Sequence, residues 1–144
     1  MTKLTEELAR KLPVMFRSMA RLLGVELDKH ELGIRITEFG VLDFLLTNSQ
    51  AVQTDLANHF AKSAILRQLD GMEQAGWVER QQDPNDRRRK NLVVTKKGME
   101  VYRKADKLRN AVFAKLLEGV AVKDLTTALA VLNTMNDNAN SGDL

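Results

Sequence analysis

The periodicity of this sequence changes from helical to extended between Trp77 and Thr95, and that change limits the folds open to the chain. Residues 77–81 (WVERQ) and 91–95 (NLVVT) have the composition of β-strands. The segment between them, residues 83–86 (DPND), consists of residues that strongly favour a turn. The sequence therefore predicts a β-hairpin whose long loop, residues 83–90, is rich in arginine. With only two prolines and eight glycines in the chain, the rest is predicted to be helical.

Apolar residues at three- and four-residue steps predict helices on both sides of the hairpin. The first predicted helix is 3–27, with a kink or a start near Pro13, and the second is capped by Thr37 and ends at 47–49. The third and fourth are 53–60 and 63–75, and Gly76 ends the fourth. After the hairpin, Thr95 caps a helix at 96–117, and a last helix at 122–136 is followed by a frayed tail. Three helices followed by a hairpin are the order of a winged helix-turn-helix. The predicted fold is one domain of 144 residues, mainly α with a small two-stranded β-wing (α+β).

Positive charge is concentrated in one part of the chain. Residues 76–109 contain eleven Lys and Arg against five acidic residues, a net charge of +6, whereas the rest of the chain has a net charge of −3. The four consecutive cations at 87–90 repel one another and gain nothing for folding, and a bound polyanion would relieve that repulsion. Nucleic acid is the leading candidate partner.

One side of the predicted helix 63–75 is polar and faces away from Ile65, Leu69 and Met72. A helix can enter the major groove of DNA and meet base edges with its N-terminal residues. Arg67 could bind guanine or a phosphate, and Gln68 could bind adenine. A solvated helix face is the alternative, and the basic hairpin loop favours DNA. The candidate DNA-binding residues of this helix are Ser63, Ala64, Arg67 and Gln68.

The composition excludes several other classes of function. The absence of cysteine excludes disulfides, thiolate zinc sites, catalytic cysteines and thiol-based oxidant sensing. Asp55 and His59 could share a metal ion, but without a third ligand we expect a helix-surface pair, no metal and no cofactor. Phosphate loops and nucleophile elbows are absent, so we expect no enzyme. With neither a signal peptide nor a long apolar run, a cytoplasmic protein without membrane contact is expected.

Residues 53–98 resemble the MarR family of bacterial transcription regulators. Three segments carry the resemblance: QTDLANHF, AILRQLDGMEQAGWVER and DPNDRRRKNLVVTKKG. The third is the most specific, because the wing of the family reads Asp-x-Arg, then a strand that ends in Thr, then Lys-x-Gly. The matching residues are Asp86, Arg88, Thr95 and Gly98, and the two residues between the last two, Lys96 and Lys97, are both lysines. Thr37-Glu38-Phe39 and the flanking helices also fit, so the resemblance covers nearly the whole chain.

The resemblance implies how the wing would contact DNA. In the family an arginine at the tip of the wing enters the minor groove, which by position is Arg88 here, with Arg87 or Arg89 as near alternatives. Asp86 would hold a wing arginine in place through a charge-assisted hydrogen bond. The candidate residues of the wing are therefore Arg87, Arg88, Arg89 and Lys90 for binding DNA and Asp86 for support.

The resemblance also implies an assembly and a mode of regulation. A DNA-binding lobe at 37–98 would be joined to helical dimerisation regions at 1–30 and 99–140, and the homodimer would bind a pseudo-palindromic operator in double-stranded DNA. The protein would be a repressor that a small-molecule effector releases by entering the cleft between the dimerisation helices and the DNA-binding lobe. The alternative is a winged-helix protein–protein adaptor without DNA binding, and the basic wing argues against it.

The chain departs from the family in one place. It has about two residues fewer than usual between Leu56-Ala57 and Arg67. Either the turn at Ala61-Lys62 is tighter than in the family, or two residues are missing from the sequence as given. The departure affects where the recognition helix begins and leaves the register from Ser63 onward unchanged.

Overall fold

The structure is a computed structural model, and it describes residues 1–48, 56, 60 and 62–142. The elements in these ranges are α1 (Lys3–Lys29), α2 (Ile36–Thr47), α3 (Lys62–Gln74), β1 (Val78–Gln82), β2 (Lys90–Val94), α4 (Lys96–Leu116) and α5 (Val122–Asn140). The strands pair antiparallel, with Val78 opposite Val94 and Gln82 opposite Lys90. The predicted class, mainly α with a two-stranded wing, is confirmed. The chain divides into two compact units, Met1–Val112 and Phe113–Leu144.

The predicted helix 53–60 lies outside the described residues, apart from Leu56 and Phe60. The pair Asp55 and His59 lies outside them too, and so does Ala61 of the short turn. Leu56 is completely buried, and the Phe60 ring packs edge-on against Phe44 with 6.3 Å between ring centroids.

The prediction that Thr37 caps the second helix is wrong. The helix α2 begins at Ile36, so Thr37 is already inside its first turn, and Arg35 holds the N-cap position with an extended backbone. Glu38 turns back and accepts hydrogen bonds on one carboxylate oxygen from the backbone N of Arg35 at 3.0 Å and from its Nε at 3.2 Å. A carboxylate at the third helical position satisfies the entering backbone in this way, so no hydroxyl is needed at Thr37.

Three other predicted boundaries differ from the structure. The helix α1 runs from Lys3 through Pro13 to Lys29, so the predicted alternative of a start near Pro13 is wrong, and a kink there stays a prediction. Lys90 belongs to β2 rather than to the loop, since it pairs with Gln82. The helix α5 extends to Asn140, so much of the tail expected to fray is helical.

The buried core of the unit Met1–Val112 draws on every element in that unit except β2. It consists of Leu23, Leu27, Ile34, Phe39, Val41, Leu42, Leu45, Leu56, Ile65, Leu69, Met72, Trp77, Val78 and Ala105. The helix α3 contributes Ile65, Leu69 and Met72, which repeat at four- and three-residue steps and so lie on one face. Burial of this single face leaves the opposite side of α3 free of the core.

A polar cluster joins α2 to α4. The hydroxyl of Tyr102 donates to Asp43 Oδ1 at 2.7 Å, and Nη1 of Arg109 lies 3.2 Å from the same oxygen. Nη2 of Arg109 also donates to Asp106 Oδ1 at 2.5 Å. Phe39 stacks on Tyr102 with 5.4 Å between ring centroids, and the guanidinium of Arg109 lies 5.0 Å from the centroid of the Phe39 ring. Directional contacts therefore fix α4 against α2 in addition to apolar packing.

The hairpin is attached to the helices at its base. Thr95 Oγ1 donates to the carbonyl of Gly76 at 2.5 Å and accepts from the backbone N of Gly98 at 3.0 Å, so the predicted cap of α4 is confirmed. Gly76, with φ of +79°, ends the preceding helical turn as predicted. A Cβ atom on Gly98 would lie 2.1 Å from the carbonyl oxygen of Trp77, so only glycine fits at this position.

We expect Gly98→Ala to lower the free energy of unfolding by about 1–3 kcal/mol, because the backbone at Trp77 would have to move. Urea unfolding followed by the fluorescence of Trp77, the single tryptophan, measures this. Gly71→Ala is the matched control, since its added methyl group meets no atom within 4 Å and helix propensity favours alanine. Equal destabilisation of the two variants would contradict the close approach at Gly98.

Tyr102 offers a test by pH. Its burial, together with the hydrogen bond to Asp43, raises the pKa of the phenol above its ordinary value of 10.0. The raised pKa means that the protonated phenol stabilises the folded state. This stabilisation is complete below the pKa that Tyr102 has in the unfolded chain, and it is lost as the pH rises through the pKa in the folded protein.

Because Tyr102 is the single tyrosine, the ultraviolet absorbance of tyrosinate reports its titration directly. We expect Asp43→Asn to lower the folded pKa, since the nearby negative charge is removed and burial remains. Asp28→Asn, which removes an exposed carboxylate from α1, should leave the midpoint unchanged. A wild-type midpoint at or below the ordinary value would show that this cluster is absent in solution.

Candidate nucleic-acid interface

The face of α3 opposite the core presents the candidate recognition residues. Ser63, Ala64 and Arg67 are exposed and Gln68 is half-buried, whereas Ile65 is completely buried. The predicted free side of this helix is therefore confirmed for Ser63, Ala64 and Arg67, whereas Gln68 is partly covered. The contacts of these four residues with DNA stay a prediction.

The loop between the strands, residues 83–89, is organised by two aspartates. Asp83 Oδ1 accepts from the backbone N of Asn85 at 2.8 Å and from that of Asp86 at 3.3 Å, and Asp86 Oδ1 accepts from the backbone N of Arg88 at 2.9 Å. The backbone of Arg89 closes the loop through hydrogen bonds with Asp83 and Asp86, both at 3.1 Å. Short side-chain-to-backbone bonds of this kind give the loop a defined conformation.

The ion pair of the wing is made by a different aspartate from the predicted one. Nε of Arg89 lies 3.7 Å from Asp83 Oδ2, whereas the carboxylate of Asp86 binds the backbone of Arg88. Asp86 thus supports the wing through the backbone rather than through an arginine side chain. The pKa of the Asp83 carboxyl is lowered, first by the N–H of Asn85 and to a smaller extent by the charge of Arg89, while burial opposes the shift.

The four cations of the wing differ in whether their side chains have a described partner. Arg89 lies beside Asp83 as described, and Nζ of Lys90 donates to Gln82 Oε1 at 2.8 Å. The side chains of Arg87 and Arg88 are exposed and have no hydrogen bond or ion pair with any residue that the structure describes. The carboxylates of the loop therefore accept hydrogen bonds from its own backbone, and two guanidinium groups at its tip stay available to bind an anion.

Arg80 of β1, which sequence analysis did not single out, connects the wing to α3. Its Nη1 lies 2.6 Å from Asp70 Oδ1, and its backbone N donates to Glu73 Oε2 at 3.2 Å. The available signal was the pair of acids three residues apart on the helix before the strand. The two acids identify Arg80 as their partner only when β1 is known to pack against α3.

The described residues also restrict other kinds of site. Among them, no cluster of three or more His, Asp or Glu could hold a metal ion. No helix in the described part of the chain is sufficiently long and apolar to span a bilayer. A surface cavity of about 430 Å³ lies between the end of α1 and α4, and it is lined by His30, Leu32, Lys104, Lys107, Leu108 and Ala111.

Comparison with known proteins gives a consistent family. Residues 34–90 match the sequence model of the MarR family. A crystal structure of MarR is 26% identical, with a TM-score of 0.80 over 92% of this chain and 90% of that one. A MarR-family transcriptional regulator from Rhodococcus sp. RHA1 is 20% identical, with a TM-score of 0.81 over 94% and 96% of the two chains. A comparison with curated protein sequences gives no match.

A third similar structure was solved with a ligand. It is a MarR mutant from E. coli in complex with operator DNA, 23% identical, with a TM-score of 0.76 over 90% of this chain and 93% of that one. Proteins of the MarR family are transcription regulators rather than enzymes. The chain is therefore similar to the MarR family in sequence over residues 34–90 and in fold over nearly its whole length.

Proposed function

We propose that this protein is a homodimeric, sequence-specific DNA-binding transcriptional regulator that acts as a repressor. The observation that carries the proposal is the pair of guanidinium groups, Arg87 and Arg88, which have no partner among the described residues and lie on an ordered loop of the hairpin. A similar fold binds operator DNA in the E. coli MarR mutant, which supports the same use here.

In this proposal α3 reads the major groove and the wing reads a flanking minor groove. Arg67 and Gln68 would contact bases or phosphates, with Ser63 and Ala64 close to the DNA backbone. Arg88 would enter the minor groove, where the negative potential attracts a guanidinium. Arg89 and Lys90 already have partners on the wing, so we assign them to phosphate neutralisation.

The residues of the wing should differ in their effect on binding. We expect Arg88→Ala to lower the affinity for a selected operator by roughly tenfold, more than Arg89→Ala or Lys90→Ala, and most at sites flanked by A-tracts. Removal of a cation that neutralises one phosphate should flatten the plot of log affinity against log salt by roughly 0.9. The measurement is a salt-titrated binding assay of each variant on the operator duplex and on random duplex DNA.

Thermal unfolding is the control, because these side chains lie outside the core and should not change stability. If alanine at each of Arg87, Arg88, Arg89 and Lys90 lowers the affinity for DNA by the same small factor, the wing is only a diffuse positive patch. If the wild-type protein fails to bind duplex DNA at low salt, the alternative of a winged-helix protein–protein adaptor replaces this proposal.

Exposed apolar residues support the homodimer. Leu4 and Leu8 of α1 are 68% and 47% exposed, and Leu129 and Leu132 of α5 are 61% and 51% exposed. Among the described residues, α5 has none that is buried, and a 19-residue helix in water gains little stability without a packed apolar face. We assign residues 1–30 and 99–140 to dimerisation, although Leu27 and Ala105 within those ranges also belong to the core.

Leu129→Glu should weaken the dimer, because a charge would be buried without a partner in the interface. Thr134→Glu is the matched control, since residue 134 lies on the side of α5 away from the leucine stripe. Light scattering at micromolar concentration should give a dimer for the wild type and for Thr134→Glu, and a monomer for Leu129→Glu. A well-folded wild-type monomer would disprove the dimer.

A small-molecule effector completes the proposal. The cavity beside α4 is large enough for a compact organic ligand, and its lining combines Leu32 and Leu108 with the cationic Lys104 and Lys107. We propose it as the effector site. A ligand that binds there and lowers the affinity for DNA would act as an inducer.

A further inference from the structure

We infer that Arg80 is a positioning residue that holds the recognition helix α3 and the wing in one fixed relative orientation, so that both can contact DNA together. The inference rests on the proposed function for its consequence, but the contacts that carry it lie entirely within the protein. They connect a strand of the wing to one face of the helix.

Arg80 spans two turns of α3. Its Nη1 lies 2.6 Å from Asp70 Oδ1 and 4.0 Å from Glu73 Oε1, and its Nη2 donates to the carbonyl oxygen of Leu66 at 3.4 Å. The backbone N of Arg80 also donates to Glu73 Oε2 at 3.2 Å. Residues 66, 70 and 73 follow one another at four- and three-residue steps, so a single guanidinium and its backbone contact one stripe of the helix.

These contacts differ from an ordinary surface ion pair. The Arg80 side chain is only 22% exposed while its partner Asp70 is 64% exposed. In the pair of Lys11 and Glu7 in α1 both side chains are exposed, at 75% and 59%, and their charged atoms are 3.9 Å apart. The planar guanidinium has fixed donor directions, so its bonds to Asp70 and Leu66 restrict rotation of the helix as well as its distance. Nε of Arg80 is buried without a described partner, a cost that a purely stabilising apolar side chain would avoid.

The apolar face of α3 does not supply this restriction by itself. Ile65, Leu69 and Met72 fix the distance of the helix from the core, but apolar contacts have little directional preference. The hydrogen bonds of Arg80 supply the directional contacts that fix the rotation of α3. Since Leu66 adjoins Arg67, the contact with its carbonyl lies one residue from the proposed reader of bases.

On the other side, a short and ordered path leads from Arg80 to the tip of the wing. Two further residues of the paired strand, Gln81 and Gln82, are followed by Asp83, whose carboxylate begins the network that orders the loop up to Arg88. Arg80 therefore sets the separation of Arg67 and Arg88. Specific binding needs both contacts at once, whereas non-specific binding needs only phosphates.

The first test does not involve DNA. Because the chain has no cysteine, Ser63→Cys and Asn85→Cys introduce one spin label on α3 and one on the wing. In samples in which doubly labelled chains are diluted with an excess of unlabelled ones, we expect a single narrow distance distribution, which becomes at least twice as wide with Arg80→Gln or Asp70→Asn. Arg103→Gln, which removes an exposed cation from α4, is the control for charge and should leave the width unchanged. An unchanged width in both test variants would overturn the inference.

The second test measures the consequence for binding. We expect Arg80→Gln to lower the affinity for a selected operator about tenfold and the affinity for random duplex DNA less than twofold. The decrease in affinity caused by Arg88→Ala should shrink in the Arg80→Gln background, because a misaligned wing contributes less to binding. Arg80→Lys separates charge from geometry, since it keeps the charge but lacks the planar fork, and it should stay impaired.

Each alternative gives a distinct result. Full recovery with Arg80→Lys, or equal decreases in affinity on operator and random DNA, would make Arg80 a simple phosphate contact and overturn the inference. A fall in thermal stability that accounts for the whole decrease in binding would reduce it to a residue needed for folding. If the labels behave as expected but the wild type does not bind DNA, the positioning role stands and the proposed function fails.

Discussion

The attachment of the hairpin to the helices depends on one junction, where Thr95 and Gly98 meet the backbone of Gly76 and Trp77. The hydroxyl of Thr95 donates to the carbonyl of Gly76, which follows α3, and it also caps α4. The absence of a side chain at Gly98 lets α4 approach the carbonyl of Trp77. A two-stranded hairpin alone is at best marginally stable in water. Its orientation is therefore determined by this junction and by the contacts that β1 makes with α3.

The arrangement of charge in the wing follows from the chemistry of its acids. Asp83 and Asp86 could neutralise neighbouring arginines, yet both carboxylates accept backbone N–H groups of their own loop. These bonds organise the backbone, and in the described part of the chain only Arg89 of the three arginines at 87–89 has an acidic partner. The loop is thus ordered while the cations at its tip stay available. A surface on which every arginine was paired would have no comparable attraction for a polyanion.

Local signals in the sequence predicted most elements of the fold, and the errors have local physical causes. The hairpin, the cap at Thr95 and the stop at Gly76 were predictable because each depends on residues a few positions apart. Thr37 was misjudged because threonine is a common N-cap, while the carboxylate of Glu38 satisfies the backbone of Arg35 instead.

The candidate site was predictable in part. The free face of α3 follows from helical periodicity, and the basic loop follows from composition. Which aspartate meets an arginine side chain depends on the conformation of the loop, which the spacing of Asp83 and Asp86 leaves open. The contacts of Arg80 with Asp70 and Glu73 depend on the packing of a strand against the preceding helix. The two acids on the helix do not identify their partner until that packing is known.

The two compact units differ in a way that connects stability to function. Residues 1–112 enclose a core of their own, whereas in the described part of residues 113–144 no apolar side chain is buried. If a second copy covers the exposed leucines of α5, then that helix is stable only in the dimer, and its stability increases with protein concentration. Under the proposed function the same association doubles the number of wings and recognition helices, because a two-fold dimer presents one set to each half-site. Assembly and recognition of an operator would then depend on the same equilibrium.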